Sequence, residues 1–147
     1  MSETTVPVTA AAPAASAPVR GRRARIALRT VQVLLALFYG VASALPKLIG
    51  NQYAVDAFDK LGWGSVGMYT IGALELAGAV ALLVPVLQSV AAVALSALMV
   101  GAFFVQMIVF GGENAATPLI LIVPLAVIAW ARRGSTRDLL DLVRRRG

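Results

Sequence analysis

The chain contains no cysteine and no histidine. The first absence excludes a disulfide scaffold, thiol redox chemistry and thiolate metal sites. The second excludes imidazole ligands and a histidine general base. With no cysteine to read, the redox compartment stays open. Charge is also scarce: 14% of the 147 residues are charged, against about 25% in an average soluble domain. No catalytic triad, metal cluster, dinucleotide fingerprint or G-x-x-x-x-G-K-[ST] phosphate loop is present. The chain therefore carries no recognisable catalytic or metal site, and whether it is an enzyme is left open.

What is abundant is apolar surface. Hydrophobic residues make up 59% of the chain, above the roughly 45–50% of soluble domains. They lie in four blocks after residue 25: about Ile26–Leu45, Val66–Leu87, Val90–Phe110 and Thr117–Ala131. A membrane span needs about 20 mostly apolar residues. The blocks predict an all-α integral membrane four-helix bundle over residues 20–131, with no second domain and no internal repeat.

The net charge of +6 matters less than its placement. Arg20, Arg22, Arg23, Arg25 and Arg29 precede or open the first block; Arg132, Arg133, Arg137, Arg144, Arg145 and Arg146 follow the last. Arginines flanking apolar spans fit the positive-inside rule better than nucleic-acid binding. Four spans then place both termini in the cytoplasm. The outer loops hold only Lys47 and Lys60 against Asp56, Asp59 and Glu113.

Residues 1–19, rich in Ala, Pro, Thr and Ser, read as a disordered cytoplasmic tail. Ala42-Ser43-Ala44 resembles a signal-peptide cleavage site. The apolar run before it is near 20 residues, however, longer than a signal core of about 7–15, and its leader is long and polar. Pro46 is expected to close the first helix. The loop from Leu48 to Gly67 predicts a short interfacial helix, capped by Asn51 and ended by Gly62. Ala54, Phe58 and Leu61 form its apolar face; Tyr53 and Trp63 bracket it. An irregular loop is the plainer alternative. Leu87-Gln88-Ser89 predicts a tight turn between antiparallel spans, and Gly111-Gly112 a helix end. Pro118 suits a first turn and Pro124 a kink. Residues 132–147 read as a basic amphipathic cytoplasmic tail, with Ser135 and Asp138 opening a helix that carries Leu139, Leu140, Leu142 and Val143.

Glu75 is the informative residue. An acid at the middle of a span costs about 2.5–3.5 kcal/mol on insertion scales, so it faces the bundle interior and seeks a partner. Tyr39, Ser43 and Lys47 follow the i, i+4, i+8 spacing of one helical face in the outer half of span one; Gln32 and Ala36 extend that face inward. Gln106 lies near the outer end of span three. Glu75, Lys47, Tyr39, Ser43 and Gln106 are therefore expected to converge on an outer-half pocket. It would bind a polar head or relay a proton; alternatively, Glu75 pairs simply to hold helices together. The charge on Glu75 turns on whether Lys47 offsets its desolvation. Gly40, Gly72, Gly78 and Gly101 are expected to permit close helix approach. Met99, Phe103 and Met107 read as core or lipid-facing.

Three stretches carry a family resemblance. LFYGVASALPKLIG, YTIGALELAGAVALLVP and ALMVGAFF resemble the first, second and third spans of DoxX-like membrane proteins, over about Ala27 to Ala131. The matching positions are Gly40, Lys47, Gly72, Glu75, Met99 and Ala102. Many relatives carry a histidine after the third-span motif, where Gln106 is the nearest polar residue here; that departure removes the best proton-transfer group. The resemblance implies a four-helix bundle in the bacterial inner membrane, surrounded by lipid. It also implies a link to quinone chemistry, since the family name comes from a subunit of a thiosulfate:quinone oxidoreductase. No covalently bound cofactor is expected; quinone is the cofactor the resemblance suggests. The functional expectation is an accessory subunit of a membrane redox system that binds a quinone or lipid head near Glu75. The alternatives are a small proton-coupled exporter using Glu75 and a purely structural membrane partner. A redox-complex subunit or a second copy of the chain are the partners considered, and nucleic acid is not.

Overall fold

The computed structural model describes residues 17–134, 141 and 143–145, and every regular element among them is helical. The first rod is α1 (Ala17–Leu37), which passes through a π-helical segment (Phe38–Ala44) into the short α2 (Leu45–Leu48). After it come α3 (Gln52–Lys60), α4 (Gly64–Leu83), α5 (Gln88–Ile108) and α6 (Ala116–Ala131).

The first rod differs from expectation at both ends. It begins at Ala17, inside the stretch read as a tail. It also continues past Pro46, which does not close it. The physical reason is the π segment: Leu45 N–H bonds back to Gly40 C=O, five residues earlier, so the ladder is already out of α register before Pro46. The proline then falls in the first turn of a restarted helix, where a missing N–H costs nothing. The rod ends at Gly50, whose φ of 67° suits glycine. Gly50 N–H bonds Lys47 C=O (3.3 Å) and Asn51 N–H bonds Pro46 C=O (2.9 Å), the paired closure of a Schellman cap.

Asn51 caps α3 as expected, its side chain accepting from Tyr53 N–H at 3.0 Å. Gly62 ends α3 at a φ of 70°. The apolar face of α3 is buried: Ala54 and Phe58 cluster with Met68, and Leu61 packs against them.

Helix α4 stops at Leu83, four residues short of the predicted end. Proline forbids the helical region to the residue before it, and Val84 is accordingly extended (φ −84°, ψ 118°). The tight turn is therefore Val84-Pro85-Val86-Leu87, closed by Leu87 N–H to Val84 C=O at 3.0 Å, and α5 starts directly at Gln88. At the far end Gly111 and Gly112 take positive φ, and Gly112 N–H bonds Gln106 C=O at 2.8 Å. Pro124 lies inside α6.

Helix α4 packs against the first rod on one side and α5 on the other; α5 packs along α6, which touches α1. The core they share holds Leu35, Tyr39, Leu82, Leu95, Leu125 and Ile128, interleaved with Ala36, Ala79, Ala91 and Ala92. Small residues let backbones approach, and this happens most closely at two glycines. A Cβ on Gly78 would lie 2.6 Å from Leu95 Cδ2, and one on Gly72 would lie 3.0 Å from Lys47 Cβ. Gly40 and Gly101 do not serve this purpose: Gly40 has only ordinary contacts, and nothing lies within 4 Å of Gly101. Met99 belongs to the core, and Met107 is exposed.

Outside this core the surface is apolar. Leu34, Val66, Ile108, Ile120, Val123 and many similar side chains are exposed. Among the described residues, three helical stretches are long and apolar enough to cross a membrane: Gly21–Leu48, Gly64–Leu83 and Gln88–Ile108. The last has a mean hydropathy of 2.1, yet only 22% of its most apolar window is buried. Water penalises such continuous exposure, whereas hydrocarbon does not. Helix α6 is apolar but shorter, at 16 residues. Most of the predicted amphipathic tail lies outside the described residues; Asp141, Val143 and Arg144 are helical and exposed.

Candidate functional site

A lysine at the end of an apolar span normally turns toward water. Lys47 does not. Side chains on a helix lean toward its N-terminus, so Lys47 points back along the rod toward the bundle. The Schellman closure behind it fixes the end of the rod. Gly72 lets α4 come against the Lys47 stem and Leu48, whose Cγ would sit 3.2 Å from an added Cβ. Glu75 follows Gly72 by three residues and so shares its face.

The ammonium meets three acceptors. Lys47 Nζ donates to Glu75 Oε2 at 2.8 Å, to Ser43 C=O at 2.9 Å and to Ser43 Oγ at 3.1 Å. The Lys47 and Glu75 side chains are 18% and 5% exposed. A charged pair this deep is held by charge-assisted hydrogen bonds. Removing either partner strands the other.

The other predicted residues fall differently. Ser43 joins the pair through both its oxygens. Tyr39 is fully buried in the core, and its hydroxyl has no hydrogen-bond partner. No hydrogen bond joins it to Glu75. Gln106 stands apart: its Oε1 is buried without a partner, and no hydrogen bond links it to Lys47 or Glu75. Helix α5, which carries Gln106, packs against α4 and α6 and not against the first rod. Ala36 and Gln32 do continue the buried face of the first rod, Gln32 at 2% exposure.

Two features were missed by sequence reasoning. Gln32 Oε1 accepts from Arg132 Nη2 at 3.5 Å, and Ser89 Oγ donates to Ala129 C=O at 3.2 Å, tying the opposite end of the helices together. The buried-face position of Gln32 was the available signal. The second is an open apolar groove of about 530 Å³ along α4, lined by Leu48, Ala73, Leu76, Ala77, Val80, Ala81, Val84 and Leu87. Neither Lys47 nor Glu75 lines it; their chain neighbours Leu48 and Leu76 do. The spacing of Ala73, Ala77 and Ala81 marks its floor in the sequence. Among the described residues no His, Cys, Asp or Glu cluster could hold a metal ion.

The site is therefore one buried carboxylate compensated by an ammonium, on a helix that also carries an apolar groove. No curated protein and no solved structure matches the chain. A family model, the DoxX-like family, matches residues 30–138, a stretch that includes all the helices from α2 to α6 and the whole Lys47–Glu75 site. This helical membrane protein therefore belongs to the DoxX-like family.

Proposed function

We propose that this protein is a four-span inner-membrane protein with both termini in the cytoplasm, and that its outer-half site at Lys47 and Glu75 holds the polar head of a membrane amphiphile, a quinone or a lipid. In this reading it is an accessory, non-catalytic subunit of a membrane redox system. One observation carries the proposal: the Lys47–Glu75 pair, 2.8 Å apart and largely buried, ties the first rod to helix α4, which also carries an open apolar groove. Helix α6 completes the set of spans; its 16 residues cover about 24 Å, and tilting or local thinning accommodates a short helix. Arginines at both ends of the set supply the orientation.

A carboxylate already neutralised by an ammonium has little to offer as a proton carrier. The ion pair thus favours head binding over the exporter reading. The test compares thermal stability of the wild type and Glu75→Gln in mild detergent, with and without decylubiquinone. Binding at this site predicts a ligand-induced rise that Glu75→Gln diminishes. An equal rise in both proteins would remove Glu75 from the binding role.

A further inference from the structure

A proline inside a helix removes one backbone N–H and drives its ring against the carbonyl four residues back. For Pro46 that carbonyl belongs to Ala42, inside the apolar stretch Gly21–Leu48, where hydrocarbon offers an orphaned group no partner. The rod meets this by changing register. Its π segment, Phe38–Ala44, ends just ahead of Leu45 and Pro46, and Leu45 N–H reaches Gly40 C=O, five residues back. Local π adjustment is one of the ways membrane helices accommodate proline. Burial records the shift. Tyr39 and Ala44 are both 0% exposed, although five residues of α-helix would set them about 140° apart. The wider turn takes up one residue more than an α-helix does. Lys47 follows Ala44 by three residues and inherits the shifted face, where a Cβ on Gly72 would lie 3.0 Å from its own Cβ.

We propose that Pro46 is a positioning residue for the Lys47–Glu75 site: it imposes the π register, and that register turns Lys47 onto α4. Straightening the segment would rotate everything after it by the angle of one residue, about 100°. The Lys47 stem would leave Gly72, and its ammonium would leave the carboxylate that now lies 2.8 Å away. The proposal goes beyond the head-binding reading and rests on the ion pair alone, so it holds whatever the site binds. It reverses the ordinary expectation, in which replacing a helical proline by alanine only strengthens the helix. It also predicts a compensating change. The π segment holds one residue too many for an α-helix, so an α-helix with one residue deleted there returns Lys47 to its present face. Val41, 59% exposed, is the residue to delete, since it belongs to no core.

The test uses the full chain in mild detergent in three forms: wild type, Pro46→Ala, and Pro46→Ala with Val41 deleted. Register is read from the rate at which cysteine pairs oxidise to disulfides, which a chain without cysteine allows. Lys47→Cys with Gly72→Cys reports on the rod beyond the π segment. Gly40→Cys with Ala79→Cys reports on the rod ahead of Val41; a Cβ on Gly40 would lie 3.8 Å from Ala79 Cβ, within disulfide reach. The 40–79 pair is expected to close in all three forms. The 47–72 pair is expected to close about tenfold more slowly in Pro46→Ala and at near the wild-type rate once Val41 is deleted. The ion pair is read alongside: the fall in unfolding midpoint caused by Lys47→Met should shrink to less than half in Pro46→Ala and return with the deletion. Closure of the 47–72 pair at the wild-type rate in Pro46→Ala, or an unchanged Lys47→Met effect there, would overturn the proposal, because packing alone would then hold the register. A loss in Pro46→Ala that the deletion does not reverse would overturn it equally.

Discussion

Replacing Lys47 with methionine keeps most of the stem volume and removes the charge. Three hydrogen bonds vanish, to Glu75 Oε2 and to both oxygens of Ser43, and a buried carboxylate is left facing apolar side chains. Breaking a buried pair from one side costs about 3–5 kcal/mol. One feature of the site lowers that figure: Lys47 keeps 18% exposure, so some water reaches the pair. The expected loss is about 2–3 kcal/mol. At about 2–4 °C per kcal/mol for a chain of this size, the unfolding midpoint should fall by about 4–12 °C. Thermal unfolding in mild detergent measures it. One further reading separates an ion pair from mere packing. The double variant Lys47→Met with Glu75→Leu, which removes both charges, should recover most of the loss. A single variant as stable as wild type at pH 7, or a double variant no more stable than Lys47→Met, would refute the reasoning.

Other expectations follow from single positions. Tyr39→Phe removes a buried hydroxyl with no partner and should leave stability unchanged or raise it by about 1 kcal/mol; a large drop in midpoint would show that the hydroxyl is satisfied. Gly78→Ala puts a Cβ 2.6 Å from Leu95 Cδ2 and should cost about 1–3 kcal/mol through overpacking. Gly101→Ala meets nothing within 4 Å and should stabilise by about 0.5–1 kcal/mol through helix propensity. The pair of glycines can be compared in one melting series. Because the chain has no cysteine, single cysteines report topology directly. Asp59→Cys and Glu113→Cys should react with an impermeant maleimide on intact spheroplasts, and Gly134→Cys only after lysis. Labelling of all three from outside would refute the four-span arrangement.

Much of this protein is legible from residue order because its surroundings act locally. Hydrocarbon demands that each span satisfy its own backbone hydrogen bonds, so a run of apolar residues near the required length is a helix whatever its neighbours do. Caps are local too: Asn51, Gly62, Gly111 and Gly112 end or begin helices through contacts a few residues away. The i, i+4 relation of Ser43 to Lys47 needs only one helix. What chain order left open was every feature depending on how helices sit against one another. Pro46 reads as a terminator until the π register before it is known. Gly72 and Gly101 look alike in sequence, yet one admits the Lys47 stem and the other faces open space. Glu75 announced its need for a partner, but Lys47, Tyr39 and Gln106 were all at suitable depth. Only the packing of α4 against the first rod gave the carboxylate to Lys47. Depth along a helix is a property of residue number; the angle at which a neighbour presents its face is set by the interlocking of all the side chains between them.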